Sequence, residues 1–292
     1  MHVVIAPDKF KGSLTARQVA DRVAAGIAAA LDEVGAPDVS VVRVPVADGG
    51  DGTVDAALAA GYERVSVRAE GPTGEAVDTA FAVRGGTAVV EMADVSGLRL
   101  LPPNGLAPLT ATSYGTGEVV RAALDRGCDT VVLGIGGSAS TDGGAGMVQA
   151  LGARLLDAAG AELPRGGAAL AALDRVDLTG LHPRLAETHV VVASDVDNPL
   201  LGPTGAAAVY GPQKGADPEQ VVLLDGALTR WADAVDAAVG PADPRSETAR
   251  APAPPAGWAT PPWPCCAVSW SRASGSSWTS SASPTTCPAR SW

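Results

Sequence analysis

The segment 131–146, VVLGIGGSASTDGGAG, brings together residue types suited to holding an anion such as phosphate. An apolar run, Thr130–Ile135, reads as a buried strand. It runs into a loop containing Gly136, Gly137, Gly143, Gly144 and Gly146, with Ser138, Ser140, Thr141 and Asp142 among them. Residues Ala145–Leu155 then read as a helix. A strand, a glycine loop and a helix start can present bare backbone N–H groups to phosphate. Asp142 is placed to orient a hydroxyl or to hold Mg²⁺. A tight turn would need these glycines only for their backbone angles. However, five of them interleaved with hydroxyl residues and an aspartate favour the anion site. The spacing is not the G-x-x-x-x-G-K-[ST] of a P-loop, nor does G-x-G-x-x-G follow the first strand.

Five further loops carry similar chemistry. Lys9, Lys11 and Ser13 lie in the loop after the first strand, where open α/β sheets bind ligands. The chain's three lysines are these two and Lys214, and all sit in glycine-containing loops. Asp48 and Asp51 sit among glycines at a strand–helix junction and suit general-base work or metal binding. Asp195, Asp197 and Asn198 follow another apolar strand and are oxygen ligands of the kind Mg²⁺ prefers, although an Asx turn before Pro199 would use the same residues. The run 112–118, TSYGTGE, offers a helix start with backbone access at Gly115 and Gly117. Phosphoryl transfer needs positioning, cations to neutralise charge and a carboxylate to orient the acceptor hydroxyl. That inventory fits better than hydride or acyl transfer, because neither histidine nor cysteine stands in these loops as a nucleophile.

The elements that must position these loops alternate at first. Strand 2–6, helix 15–31, strand 40–44 and helix 53–60 imply a parallel, layered α/β domain over residues 1–62. Ser13 or Thr15 would cap the first helix. Between Glu63 and Met92 the rhythm changes to three consecutive strands, 64–68, 77–83 and 88–92, joined by Gly-Pro-Thr-Gly and Gly-Gly turns. A second α/β domain with a mixed sheet is therefore expected over 63–247. It would include a helix at 117–126, a strand at 189–193 and a closing helix at 218–239.

Composition narrows the function classes. The chain has 292 residues, 46% of them hydrophobic, and a formal charge of −11, which disfavours nucleic acid and anionic membranes as partners. No apolar run is long enough to span a bilayer, and Met1 leads directly into a strand, so neither a membrane anchor nor a signal peptide is expected. Four cysteines without metal-ligand spacing fit a reducing cytoplasm. His2, His182 and His189 read as structural or solvated.

A break falls near residue 250. All 32 acidic side chains precede it, whereas residues 248–292 hold three arginines, five of the six tryptophans and three of the four cysteines amid Pro and Ser. That composition predicts a disordered tail. Its abruptness suggests a shifted reading frame. With synonymous codons chosen freely, the run 255–264 can be re-read two bases on as GGLGYAALA, and the region from Trp270 as LEPGIRIVLDLVGF.

In order, the runs PDKFKGSL (7–14), ADGGDGT (47–53), TSYGTGE (112–118), IGGSASTDGGAG (135–146), SDVDNPL (194–200) and YGPQKGA (210–216) resemble the type I glycerate kinase family. The resemblance implies two α/β domains with the active site in a cleft between them, and phosphorylation of D-glycerate with ATP and Mg²⁺. It places catalysis on Asp48, Asp195, Lys9 and Lys11, with Asp48 or Asp195 activating the glycerate hydroxyl. Substrate and nucleotide contacts would come from Ser13, Asp51, Gly136, Gly137, Ser138, Asp142, Gly143, Gly144, Asn198 and Lys214. Metal ligation would fall to Asp195 and Asp197. The family's later T-G-E-G motif is not found here, and the re-read tail resembles the missing stretch. The N-terminal sheet is thus expected to lack strands, which leaves a catalytically impaired binding remnant as the alternative reading.

Overall fold

The computed structural model describes residues 2–10, 13–33, 35, 39–44, 46–194 and 196–239, together with the backbone of 269–273 and 277–281. Strand β1 (His2–Ile5) is followed by helix α1 (Ala16–Glu33) and strand β2 (Ser40–Arg43), and the two strands pair in parallel. Helix α1 is started by Thr15. Its Oγ1 accepts from Gln18 N at 3.2 Å while Gln18 Oε1 accepts from Thr15 N at 2.9 Å, a reciprocal cap. Ser13, the other expected cap, instead donates to the Phe10 carbonyl at 3.0 Å. Ala20 and Ala24 of α1 pack on Ile5, forming a small core on one side of the ladder. On the other side Val4 and Val42, opposite each other in register, are exposed.

Helix α2 (Thr53–Ala59) precedes strands β3 (Glu63–Glu70), β4 (Ala76–Arg84) and β5 (Thr87–Glu91). Next come the short helix α3 (Ala93–Ser96), helix α4 (Tyr114–Asp125), strand β6 (Thr130–Gly134) and helix α5 (Ala145–Ala150). Strands β7 (Arg154–Leu156), β8 (Arg175–Asp177) and β9 (His189–Ala193) follow, then helices α6 (Ala206–Tyr210) and α7 (Pro218–Val239). A five-stranded sheet runs in the order β3-β4-β5-β6-β9. Its β3, β4 and β5 pair antiparallel, whereas β5, β6 and β9 are parallel, which is the mixed sheet expected. Along β3 the period of two puts Val65, Val67 and Ala69 on the core face and Arg64, Ser66 and Arg68 outward.

Both faces of this sheet are covered. Helix α4 lays Val119, Val120 and Leu124 onto Phe81, Val90 and Val131. On the opposite face Val54 and Ala57 of α2 meet Ala82 and Val89. Helix α2, assigned by sequence to the N-terminal unit, therefore packs on the central sheet, because its apolar side matches the free face of β4 and β5. A fourth core forms around α7, where Leu224, Leu228 and Trp231 pack on Leu155 and Leu170.

Two further expectations are corrected. The helix predicted over 145–155 stops at Ala150, and 154–156 forms strand β7, paired with β8. The cause is Gly152, which sits at φ +107°, where a Cβ would come within 2.0 Å of the Gly180 carbonyl oxygen. In the tail, read as having no helical or strand period, strand β10 (Ser269–Ala273) pairs antiparallel with β11 (Ser277–Ser281), with Trp270 opposite Ser280 and Arg272 opposite Trp278 in register. Among the described residues no helix is long and apolar enough to cross a membrane.

Candidate functional site

Parallel strands end at one edge, and the loops leaving β1, β2, β5, β6 and β9 carry the chemistry-bearing motifs. The loops after β1 and β2 run together beyond their strands, with Val44 N donating to Ile5 O at 2.8 Å and Val46 N to Pro7 O at 3.1 Å. This brings the Lys9 ammonium to 3.7 Å from Asp48 Oδ1, with Asp8 on its other side at 3.9 Å. Asp48 also accepts from Gly50 N at 2.9 Å. Burial pushes the Asp48 pKa up, but the Gly50 N–H and the Lys9 charge outweigh it, so its carboxyl titrates below the ordinary carboxylate value.

The Asp48 loop is seated on the central sheet by main-chain contact. Gly136 N donates to Gly49 O at 3.0 Å. A Cβ on Gly49, which has φ +88°, would lie 2.3 Å from Ala193 O at the end of β9, and one on Gly134 would lie 2.6 Å from Gly49 O. Gly134 and Gly136 of the glycine run are thus required for close approach of two loops, a need distinct from anion binding. Beside them, Asp51 Oδ1 is 3.8 Å from Arg99 Nε, and the Arg99 guanidinium also bonds Asp94. The loop after β5 joins the same assembly, since Leu98 N donates to Gly137 O at 2.9 Å and Ala139 N to Ser96 O at 2.9 Å.

The remaining glycine-run residues divide between surface and interior. Lys214, only 7% exposed, donates to Ser138 Oγ at 2.8 Å and to the Ser140 carbonyl. Burial draws its pKa down to about 8, against the field of Asp142, which acts to raise it. Asp142 is 1% exposed. Its Oδ2 accepts from Ser113 N at 2.8 Å, Ser113 Oγ at 2.9 Å, Thr112 Oγ1 at 3.3 Å and Gly146 N at 3.2 Å, while Oδ1 accepts from Gly144 N at 3.2 Å. The carboxylate expected to face a hydroxyl or Mg²⁺ is therefore turned inward, where it ties the start of α4 to the start of α5. Gly143 and Gly144 go with it: Gly143 O accepts from Trp231 Nε1 at 3.1 Å, and Gly144 at φ +83° caps α5. The run 112–118 is likewise occupied by protein contacts, with Thr116 Oγ1 bonded to Ser96 Oγ at 2.9 Å.

After β9, Asp197 is exposed. Asn198 faces inward, donating to Thr204 O at 3.2 Å and accepting from Tyr210 Oη at 2.6 Å. Lys11 and Asp195 lie outside the described residues. Ser13 is exposed at the approach to α1. Among the described residues no group of three or more His, Cys, Asp or Glu side chains could hold a metal ion by itself.

Sequence reasoning missed Glu91 and Arg99. Glu91 ends β5 at 3% exposure, and its two oxygens accept from Gly52 N at 2.9 Å and Val54 N at 3.0 Å. Burial, and then the neighbouring Asp94 carboxylate, push its pKa up to about 7 against those two N–H groups. Its one legible sign is a lone charge inside the apolar run 88–93, AVVEMA.

A family model described as the glycerate kinase family matches residues 3–257. A glycerate kinase of Haemophilus influenzae is 47% identical over 236 residues, covering 80% of this chain and 61% of the relative. A glycerate 2-kinase of Escherichia coli K12 is 47% identical over 243 residues, covering 82% of this chain and 62% of the relative. A crystal structure assigned to a glycerate kinase 2 of Salmonella typhimurium LT2 superposes with a TM-score of 0.72 at 48% identity, over 81% of this chain and 63% of that one. The chain thus spans about three fifths of the length of the curated relatives it matches.

Proposed function

The chain belongs to the glycerate kinase family, and from that premise we propose that it transfers the γ-phosphoryl group of ATP to a hydroxyl of D-glycerate. The observation that carries the reading is a continuous path of contacts through all six motifs, five of which bear glycine. Lys9 meets Asp48, Gly49 meets Gly136, Ser138 meets Lys214, Tyr210 of the Lys214 motif meets Asn198, and Asp142 meets Ser113. Residues far apart in sequence are thereby joined, with Asp142, Ser113 and Lys214 buried behind the loops that carry Lys9 and Asp48.

The roles follow from charge and exposure. Asp48, ionised well below neutral pH, accepts the proton of the attacking glycerate hydroxyl. Lys9, and Lys11 of the same loop, offset the negative charge of glycerate and of the phosphates. The backbone of Gly136, Gly137 and Ser138 lines the same edge, and Arg99 adds a half-exposed cation beside Asp51. Lys214 and Asp142 act behind this surface, holding the loop in shape. Mg²⁺ at an ATP site takes only one or two protein carboxylates beside phosphate oxygens and water. The exposed Asp197 fits that demand, with Asp195 two residues before it, and the ion would neutralise phosphate charge there. A reaction between such small polar molecules belongs to the cytoplasm.

The test is ADP formation by the 292-residue protein with Mg·ATP, with and without D-glycerate. Glycerate-dependent turnover that falls 10²–10⁴-fold in Asp48→Asn supports the reading. Turnover indifferent to glycerate, or an undiminished Asp48→Asn variant, removes it. A second reading, ligand binding without turnover, is favoured by the exposed Val4 and Val42, which among the described residues leave the Lys9 loop on a two-stranded ladder with one uncovered face. Calorimetry showing ATP or glycerate binding by a protein with no turnover would select it.

A further inference from the structure

We infer that Glu91 is the positioning residue of the Asp48–Gly52 loop, holding it on the carboxyl edge of the central sheet through paired bonds to Gly52 N and Val54 N. The inference rests on the reading that this loop belongs to the active site. Glu91 is the last residue of β5, and β5 pairs directly with β6, whose continuation is the glycine run. The loop therefore hangs between two adjacent strand ends. On one side Glu91 Oε1 and Oε2 take Gly52 N and Val54 N at 2.9 and 3.0 Å, and on the other Gly136 N donates to Gly49 O at 3.0 Å. Asp51 lies between these attachments, and Asp48 directly precedes the first of them, Gly49.

Three features separate this role from ordinary helix capping. The carboxylate comes from 39 and 37 residues away in sequence, whereas a capping side chain usually sits at the helix start itself. The N-cap of α2 is Gly52, which has no side chain to accept an N–H and leaves that duty to Glu91. Glu91 is also almost fully buried with its two oxygens on two different amides, so a shorter or neutral side chain cannot serve both. Asp94 and Arg99, paired with each other, stand next to it, and Arg99 reaches on to Asp51. The same group of charges therefore touches the loop twice.

The experiment compares amide hydrogen exchange at pH 8 in the 292-residue protein and its Glu91→Gln variant, read by NMR at Gly52, Val54 and Gly136. All three amides are expected to exchange at least tenfold faster in the variant, with amides of α7 unchanged. Faster exchange confined to Gly52 and Val54 would reduce Glu91 to a cap and overturn the inference, as would no change at any of the three. Should the Gln variant fail to fold, Glu91→Asp carries the same comparison. Its carboxylate is one methylene short, and it should free one of the two α2 amides together with Gly136. In kinetics, Glu91→Gln is expected to lower kcat about tenfold with KM for ATP unchanged, and an undiminished kcat in an active protein overturns the positioning role. If the unsubstituted protein forms no glycerate-dependent ADP, the kinase reading fails, while the exchange rates still decide the attachment.

Discussion

Lys214 and Ser138, 76 residues apart, are joined by a 2.8 Å bond from a buried ammonium to a hydroxyl, and this bond ties the last motif of the chain to the glycine run. The same ammonium reaches Ser140 O. A lysine that would ordinarily project into solvent is spent on the inner side of a loop. Its charge is tolerated because a carbonyl, a hydroxyl and the field of Asp142 surround it.

That burial makes a pH signature. With its pKa drawn from 10.5 to about 8, folded Lys214 binds its proton less tightly than the unfolded chain does. Between these values the unfolded state holds more protons, so the Lys214 contribution to stability improves as pH rises from about 8 to 10.5. Urea midpoints of the native protein and of Lys214→Met, measured at pH 7.5 and 9.5, should show the native protein gaining on the variant at the higher pH. A constant difference would mean that the ammonium is solvated.

Asp142→Asn should be a stability variant first and a kinetic one second. The asparagine carbonyl can stand in for the oxygen that serves Ser113 and Gly146, but its NH2 then faces the Gly144 N–H in place of Oδ1 and the acceptor loses its charge, at a cost of about 1–3 kcal/mol. Thermal unfolding reads this loss. A protein melting within a degree or two of the native one would show that the carboxylate faces water.

Glu91 titrates in the opposite sense from Asp48. Its folded pKa, raised from 4.5 to about 7, means that the native state holds the proton more tightly, so its contribution to stability declines as pH climbs from about 4.5 to 7. Glu91→Gln has no such proton. The stability difference between native and variant should therefore shift in the variant's favour across that interval, as denaturant midpoints at pH 5 and 7.5 would show.

Gly49→Ala tests the contact between loops. Its Cβ would meet Ala193 O at 2.3 Å from a residue at φ +88°, so both sterics and backbone angle oppose it. We expect a loss of about 2–4 kcal/mol with glycerate turnover falling at least tenfold. Gly26→Ala in α1, where a Cβ meets nothing within 4 Å, is the control and should be neutral or slightly stabilising.

What could be read before the structure was what periodicity and punctuation govern. Helix 218–239 and the strands β3 to β5 follow from apolar spacing and glycine turns, and their bounds agree with the fold to within a few residues. The helix expected over 145–155 failed because Gly152 answers to Gly180, a contact no local pattern announces. Within the site, the loops were legible and the direction of their side chains was not. Asp142 and Asp197 both stand in loops after apolar strands, yet one is buried under Ser113 and the other is exposed. Glu91 escaped because its partners are two amides contributed by another segment.

The bond from Gly136 N to Gly49 O passes between two glycines with no side chain interposed. The gap between the Asp48 loop and the glycine run is consequently a main-chain dimension, insensitive to the small volume changes that drift through hydrophobic interiors. In a saturation library, positions 49, 134 and 136 should tolerate almost nothing, whereas altered acceptor preference should arise from exposed neighbours such as Asp197, Ser13 and Arg99. Adaptation in this scaffold would proceed by redecorating a fixed rim.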